Sequence, residues 1–416
     1  MARLVPIRLA GMIAATVMCA AVATEAAAQD QDPSIVLNEQ MQFGDVFAEQ
    51  TLDVVDSSEQ VTVSNSATGN SLAGGVEGGD MTVTSTQSMQ GNVRADTTFV
   101  LGGDTEGVVS GVTQANGNYL GLSASDANLT VDSAQTVSDV EIVATSTMAE
   151  GNERLLGGAY IDASAIGNTV ALGGERSYFE GTAVQWSDAN IRASNYAATQ
   201  YIPAEAEFTA QAVANVVSVT GTSVTGQNMT IDQRSTGGII DSGVSANAGN
   251  SWDLAGRANA GANRVVLSNQ GGSVVATTRQ DNSSQIQSQS IVTSYDYGAV
   301  NSYARGVANE VSVGNNDIYV EIDNTQINTG GVAVNAQVSG TQGYDAYVGA
   351  DAAGNVVTGF ACADCAGYID ATNNQANSGN VSATAQTTIN GTNRAVITGT
   401  NAVGNAATFY VSRSGN

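Results

Sequence analysis

The chain has 416 residues, 39 of them acidic and 13 basic, and carries a formal net charge of −26 with no histidine. Every basic residue is arginine, and they are too few for a nucleic-acid partner or for a basic patch on anionic lipid, both of which need a cationic surface. The missing histidine and lysine also remove the serine triad, most catalytic zinc designs and any phosphate loop that ends in lysine.

Residues 1–28 read as a secretory signal peptide. Arg3 and Arg8 precede an apolar stretch from Leu9 to Ala23, and small residues end at Ala28, so cleavage is expected before Gln29. The apolar stretch is short for a bilayer crossing. Cys19 follows Met18, not the small residue that lipid attachment requires.

Beyond Gln29 the chain repeats. Residues 29–69 read as an N-terminal cap with a partial first repeat. Residues 70–404 read as seven tandem β-rich repeats of about 48 residues, and residues 405–416 as a partial C-terminal repeat. The landmark is a short phrase ending in glycine or alanine and then asparagine. It places Asn70, Asn118, Asn168, Asn215, Asn263, Asn309, Asn355 and Asn405 in equivalent positions, 46 to 50 residues apart. A second landmark keeps the same period: Gln87, Gln135, Gln185, Gln233, Gln280, Gln326 and Gln375, with Gln40 one period earlier.

Within a unit the pattern alternates. Met81 and Val83 alternate with Thr82 and Thr84, and Ile318, Val320 and Ile322 do the same. Alternation of this kind predicts strands with one buried face. Pairs such as Gly69-Asn70, Gly91-Asn92, Gly117-Asn118, Gly151-Asn152 and Gly379-Asn380 predict corners, because both residues tolerate positive φ. The expected fold is all-β: an elongated β-solenoid or β-helix whose inward asparagines form ladders between coils. The alternative is an eight-bladed-like β-propeller with one blade per unit. Aromatic residues are only 5% of the chain, so bulky packing between blades is scarce.

Several local features stand apart. Tyr178, Phe179, Trp186, Tyr196, Tyr201 and Phe208 crowd the middle of the chain, and Pro203, Glu205 and Glu207 interrupt the alternation. Residues 204–214 are expected to form a short helix or an irregular loop, either a self-packed insertion or a docking patch. Trp252, Tyr295, Tyr297, Tyr344 and Tyr347 occupy related portions of successive units. They are the candidate glycan or partner contacts, since exposed rings grip sugars by apolar contact; the bland alternative is that they cover the side of the stack. Cys362 and Cys365 are a candidate local disulfide, which would clamp a turn in an oxidising envelope. The glycines before Asp80 read as a turn more readily than as a calcium-binding repeat. Divalent cations could bridge the acidic surface to other polyanions, which a calcium titration of self-association would test. No catalytic residue, cofactor or metal site is expected, although paired carboxylates at glycosidase spacing are compatible with the composition.

With these features in view, the whole chain resembles the holdfast attachment protein D family of stalked alphaproteobacteria. The export segment, the histidine-free acidic composition and phrases such as Ala115 to Asn118 and Ala165 to Asn168 carry the resemblance. It implies a structural, adhesive, non-enzymatic surface protein at the outer membrane of the pole or stalk tip, anchoring the polysaccharide holdfast. It also implies two protein partners, a fimbria-like subunit and a lipoprotein resembling the curli secretion pore. Acidic or neutral surface polysaccharide and further copies of the chain complete the expected partners, with no nucleic acid. A looser likeness to curli repeats lies in Gln87 with Gly91-Asn92 and Gln114 with Gly117-Asn118. The alternatives are a self-assembling S-layer or fibre-type surface protein, or a polysaccharide-processing enzyme.

Overall fold

The computed structural model describes residues 33–149, 151–317, 319–362 and 367–412. The expected signal peptide lies outside them. Pro33–Asn416 forms one unit.

The unit is a β-solenoid of eight coils, spanning residues 34–77, 80–125, 128–175, 178–222, 226–269, 273–315, 319–361 and 368–411. Each coil has three faces. The first face is a strand of nine or ten residues, beginning with Ser34–Gln42 and Asp80–Met89 and ending with Tyr368–Asn377. The second face is similarly short, as in Val46–Val54 and Val93–Leu101. The third is a 17-residue strand, as in Val61–Glu77 and Val109–Ser125. In coils 4 to 7 the second and third faces run on as one strand: Asn190–Thr222, Ile239–Asn269, Gln285–Asn315 and Val332–Ala361.

Each face pairs in parallel with the same face of the next coil, one sequence period away. Gln87 lies beside Gln135, and Asn118 beside Asn168. This pairing decides against the propeller, whose blades are closed four-stranded sheets of a single repeat. It also explains why the period varies between 46 and 50 without harm: extra residues go into turns, and the strands stay in register. Gly91-Asn92, Gly151-Asn152 and Gly379-Asn380 lie in such turns, and Gly151 adopts φ +77°.

Gly69-Asn70 and Gly117-Asn118 do not make corners between strands. They sit inside the third face, where two consecutive residues point inward and the alternation changes phase. The register stays one to one across this kink, from Asn116↔Ile166 to Asn118↔Asn168. Stacked kinks bend the long strand at the same point in every coil. Its two halves therefore face different partners.

Two apolar cores result. Phe99, Ile142, Ile191 and Phe208 belong to the core between the second face and the first half of the third. Leu120, Leu129, Phe179 and Val217 belong to the core between the first face and the second half of the third. Each fully buried ring or branched side chain contributes about 1.5–3 kcal/mol. Alanine and valine fill most other inward positions, because neighbouring strands leave little room for bulk in successive layers.

Residues 204–214 form no helix or loop. They continue the strand Asn190–Thr222, and only its register slips, between Ile202 and Glu205. Pro203 lacks the N–H that regular pairing would use. Phe208 points into the core, fully buried, so pairing with both neighbouring coils overrides the local break.

Candidate glycan-contact corner and the amide columns

The repeated asparagines and glutamines build two columns of buried amides. Asn70 Nδ2 donates to Asn118 Oδ1 at 2.8 Å, Asn118 to Asn168 at 2.8 Å, and Asn168 to Asn215 at 2.9 Å. The chain continues through Asn263, Asn309 and Asn355 to Asn405. Each donor asparagine also donates to the carbonyl after a column glutamine, as Asn118 does to Thr136 O at 2.8 Å. The glutamine column runs the opposite way. Gln87 Nε2 donates back to Gln40 Oε1 at 2.9 Å, and Gln375 to Gln326 at 2.8 Å. Each of these glutamines also donates to the carbonyl after the column asparagine, as Gln135 does to Thr169 O. The two columns thus form a polar seam between the two cores. Side-chain and backbone groups satisfy one another there, which a buried amide requires.

Four of the five candidate aromatic residues reach the surface. Trp252 and Tyr295 are each 61% exposed, Tyr344 55% and Tyr347 38%. Tyr297 is 4% exposed and turns inward, so it supports the corner from beneath. Its hydroxyl donates to Asn393 Oδ1 at 2.9 Å. Burial raises its phenol pKa, and the Asn393 bond only partly offsets that.

The exposed rings cluster where the second face passes into the third. The register places Ser251, Tyr297 and Gly343 side by side, and then Asp253, Ala299, Asp345 and Ala395. Between these rows, Trp252, Gly298, Tyr344 and Arg394 take one position in coils 5 to 8. Trp252 and Tyr344 are two coils apart, yet their ring centroids are 6.4 Å apart at 66°, an edge-on contact. Gly298 allows this: a Cβ there would lie 2.9 Å from Trp252 Cε3 and 2.5 Å from its carbonyl oxygen. The Arg394 guanidinium lies 5.8 Å over the Tyr344 ring and forms an ion pair with Asp345. Gly298 and Arg394 escaped the sequence reading. The available signal was their spacing, because Arg394 follows Tyr344 by one repeat period.

Beside the corner, the outer side of the third face carries charges in unusual settings. Burial raises the Asp253 carboxyl, and nearby Glu205 and Glu207 add to that, while Arg257 opposes it. Burial likewise raises Asp162, against a hydrogen bond from Thr209 and with help from Glu207. Farther along, Glu310 sits between Arg305 at 2.7 Å and Arg264 at 3.6 Å. Burial alone would raise its pKa, but the charge and hydrogen bond of Arg305 lower it overall. The Tyr303 hydroxyl donates to Asp351 at 2.5 Å. Glu310 with Arg305 and Arg264 is thus a structural ion-pair group. Among the described residues no cluster of three metal-ligating side chains forms.

Cys362 is buried, disulfide-bonded and held at φ +23°. Cys365 lies outside the described residues, so the proposed Cys362–Cys365 bridge is an expectation for mass spectrometry to check.

The model of holdfast attachment protein D matches residues 55–331. The chain belongs to the holdfast attachment protein D family. It is thus a structural, adhesive protein of the holdfast-anchoring system, not an enzyme, exported and associated with the outer membrane at the cell surface. No curated protein and no solved structure matches the chain.

Proposed function

We propose that this member of the family holds polysaccharide against the aromatic corner formed by Trp252, Tyr295, Tyr344 and Tyr347. The observation that carries this reading is the Trp252–Tyr344 contact. It reaches across two coils, depends on the bare Gly298, and leaves both rings more than half exposed. A solenoid gains little from exposing such rings, whereas sugars stack their apolar faces on them. Asp253, Asp345 and Arg394 supply hydrogen-bonding groups around the rings for hydroxyl and amide substituents. The acidic surface elsewhere suits a neutral polymer or one with local cationic groups. The fimbria-like subunit and the curli-pore-like lipoprotein are the proposed protein partners, with the lipoprotein as the route to the cell surface.

The test replaces Trp252 and Tyr344 together by alanine. Exported, folded protein should remain at the pole while adhesive polysaccharide is made but shed. Unchanged retention of the polysaccharide, with the double variant present at the surface at normal level, would refute the assignment.

A further inference from the structure

The edge where the second face passes into the third holds two intramolecular cation sites of one kind. In coils 2 to 4 the Arg154 guanidinium lies 5.7 Å from the centre of the Tyr201 ring. Its Nη1 donates to both oxygens of Asp104, at 2.8 and 2.9 Å. In coils 7 and 8 the Arg394 guanidinium lies 5.8 Å over Tyr344 and pairs with Asp345. Each site joins a ring, a carboxylate and a cation, because the π face and the carboxylate both favour positive charge.

A third aromatic–acid pair, Trp252-Asp253 in coil 5, stands at the same place in the register as Tyr344-Asp345 in coil 7. One coil after Tyr344-Asp345 come Arg394-Ala395, and one coil after Trp252-Asp253 come Gly298-Ala299. Glycine thus stands where the arginine would be. Among the described residues no guanidinium lies over Trp252 and no ion pair reaches Asp253. Arg257, whose charge reaches Asp253, is held by Glu207 at 2.6 Å. We propose that this incomplete site takes its cation from the ligand: the polysaccharide at the corner carries free amino groups, bound as ammonium over Trp252 and beside Asp253. This rests on the reading of the corner as the polysaccharide contact, and it names the class of sugar.

The surroundings favour positive charge. Glu205 of coil 4 pairs in register with Asp253, Glu207 follows two residues on, and both act on the Asp253 carboxyl. Three carboxylates therefore stand against one arginine. Burial, with these two neighbours, holds the Asp253 carboxyl above its ordinary value, so its ionised form costs the fold stability and an added cation relieves that cost. Tryptophan is also the ring that attracts cations best. Among the described residues no three metal-ligating side chains converge there, so the charge to be met is that of an organic cation. An amino sugar suits the site better than a lysine side chain does. A sugar ring offers an apolar face to Trp252 and Tyr344 while its amine reaches the carboxylates.

The test titrates the purified full chain with a short oligomer of β-linked glucosamine and with its N-acetylated counterpart. Calorimetry at physiological salt and about pH 6, where such an amine is protonated, gives both affinities. The amino form should bind roughly tenfold tighter or more. Asp253→Asn and Glu205→Gln should each cut that ratio to about threefold or less. Trp252→Ala should weaken both oligomers. Melting curves check each fold, and Glu205 is exposed, so its variant folds whatever becomes of the Asp253 one. Equal binding of the two oligomers, weakened by Trp252→Ala, overturns the amine and leaves the corner as the polysaccharide contact. Binding of neither oligomer, or binding indifferent to Trp252→Ala, overturns both readings. The amine is also overturned if the ratio survives both carboxylate variants, or if a lysine oligomer of equal charge binds as tightly as the amino sugar.

Discussion

Replacing Asn215 by alanine should be among the most damaging single changes in the protein. Asn215 is fully buried near the middle of the asparagine column. It accepts from Asn168 at 2.9 Å and donates to Asn263 at 2.8 Å and to Arg234 O at 2.9 Å. Three hydrogen bonds at about 1 kcal/mol each give about 3 kcal/mol, and acceptors left bare in the seam raise the loss to roughly 4–5 kcal/mol. Asn405→Ala is the internal control. It removes one bond, from Asn355, at the exposed end of the same column, and should cost about 1 kcal/mol. Urea unfolding read by circular dichroism at constant slope compares the two. Because the backbone of each coil pairs only with that of its neighbours, hydrogen exchange of coils 4 and 5 should loosen first in the Asn215 variant. If Asn215→Ala costs no more than Asn405→Ala, the columns do not stabilise the fold in the way argued.

Gly298→Ala should push the Trp252 ring off Tyr344, seen as a change in tryptophan fluorescence and a loss of polysaccharide retention, with a stability change smaller than that of Asn215→Ala. Glu310→Gln should cost about 1.5–3 kcal/mol at neutral pH, because it removes a charge-assisted bond to Arg305. Since the folded pKa of Glu310 is lowered, its stabilisation is present above the ordinary value of 4.5 and is lost as the pH falls through the folded value, so the wild type and variant should converge in acid melts. Asp253→Asn should act in the opposite sense. The raised pKa of Asp253 means that its charge opposes folding once the pH exceeds the ordinary 3.8, so the variant should melt higher at neutral pH and equally at low pH.

Much of the architecture was legible because it is periodic. A buried amide must be matched in every coil, so Asn118 and Gln135 recur at fixed intervals and announce a stack. The wrong readings were local ones. Gly117-Asn118 looks like a corner between strands, but the bend lies inside one long strand, where two successive residues turn inward. Residues 204–214 look like a break, but two neighbouring coils pair with them and hold Phe208 in the core.

The aromatic corner divides along the same line. The sequence by itself determined that the chain is an acidic, repeated β protein of this family and that its tyrosines recur in related portions of each unit. Tertiary structure alone decided that Tyr297 is buried, that Trp252 reaches Tyr344 over Gly298, and that Arg394 joins them from the last coil. Period fixes which residues share a row, because strand register depends on spacing along the chain. Which rings touch depends on the bend at each turn and on the size of the residue between them, and both are set only when the coils stack.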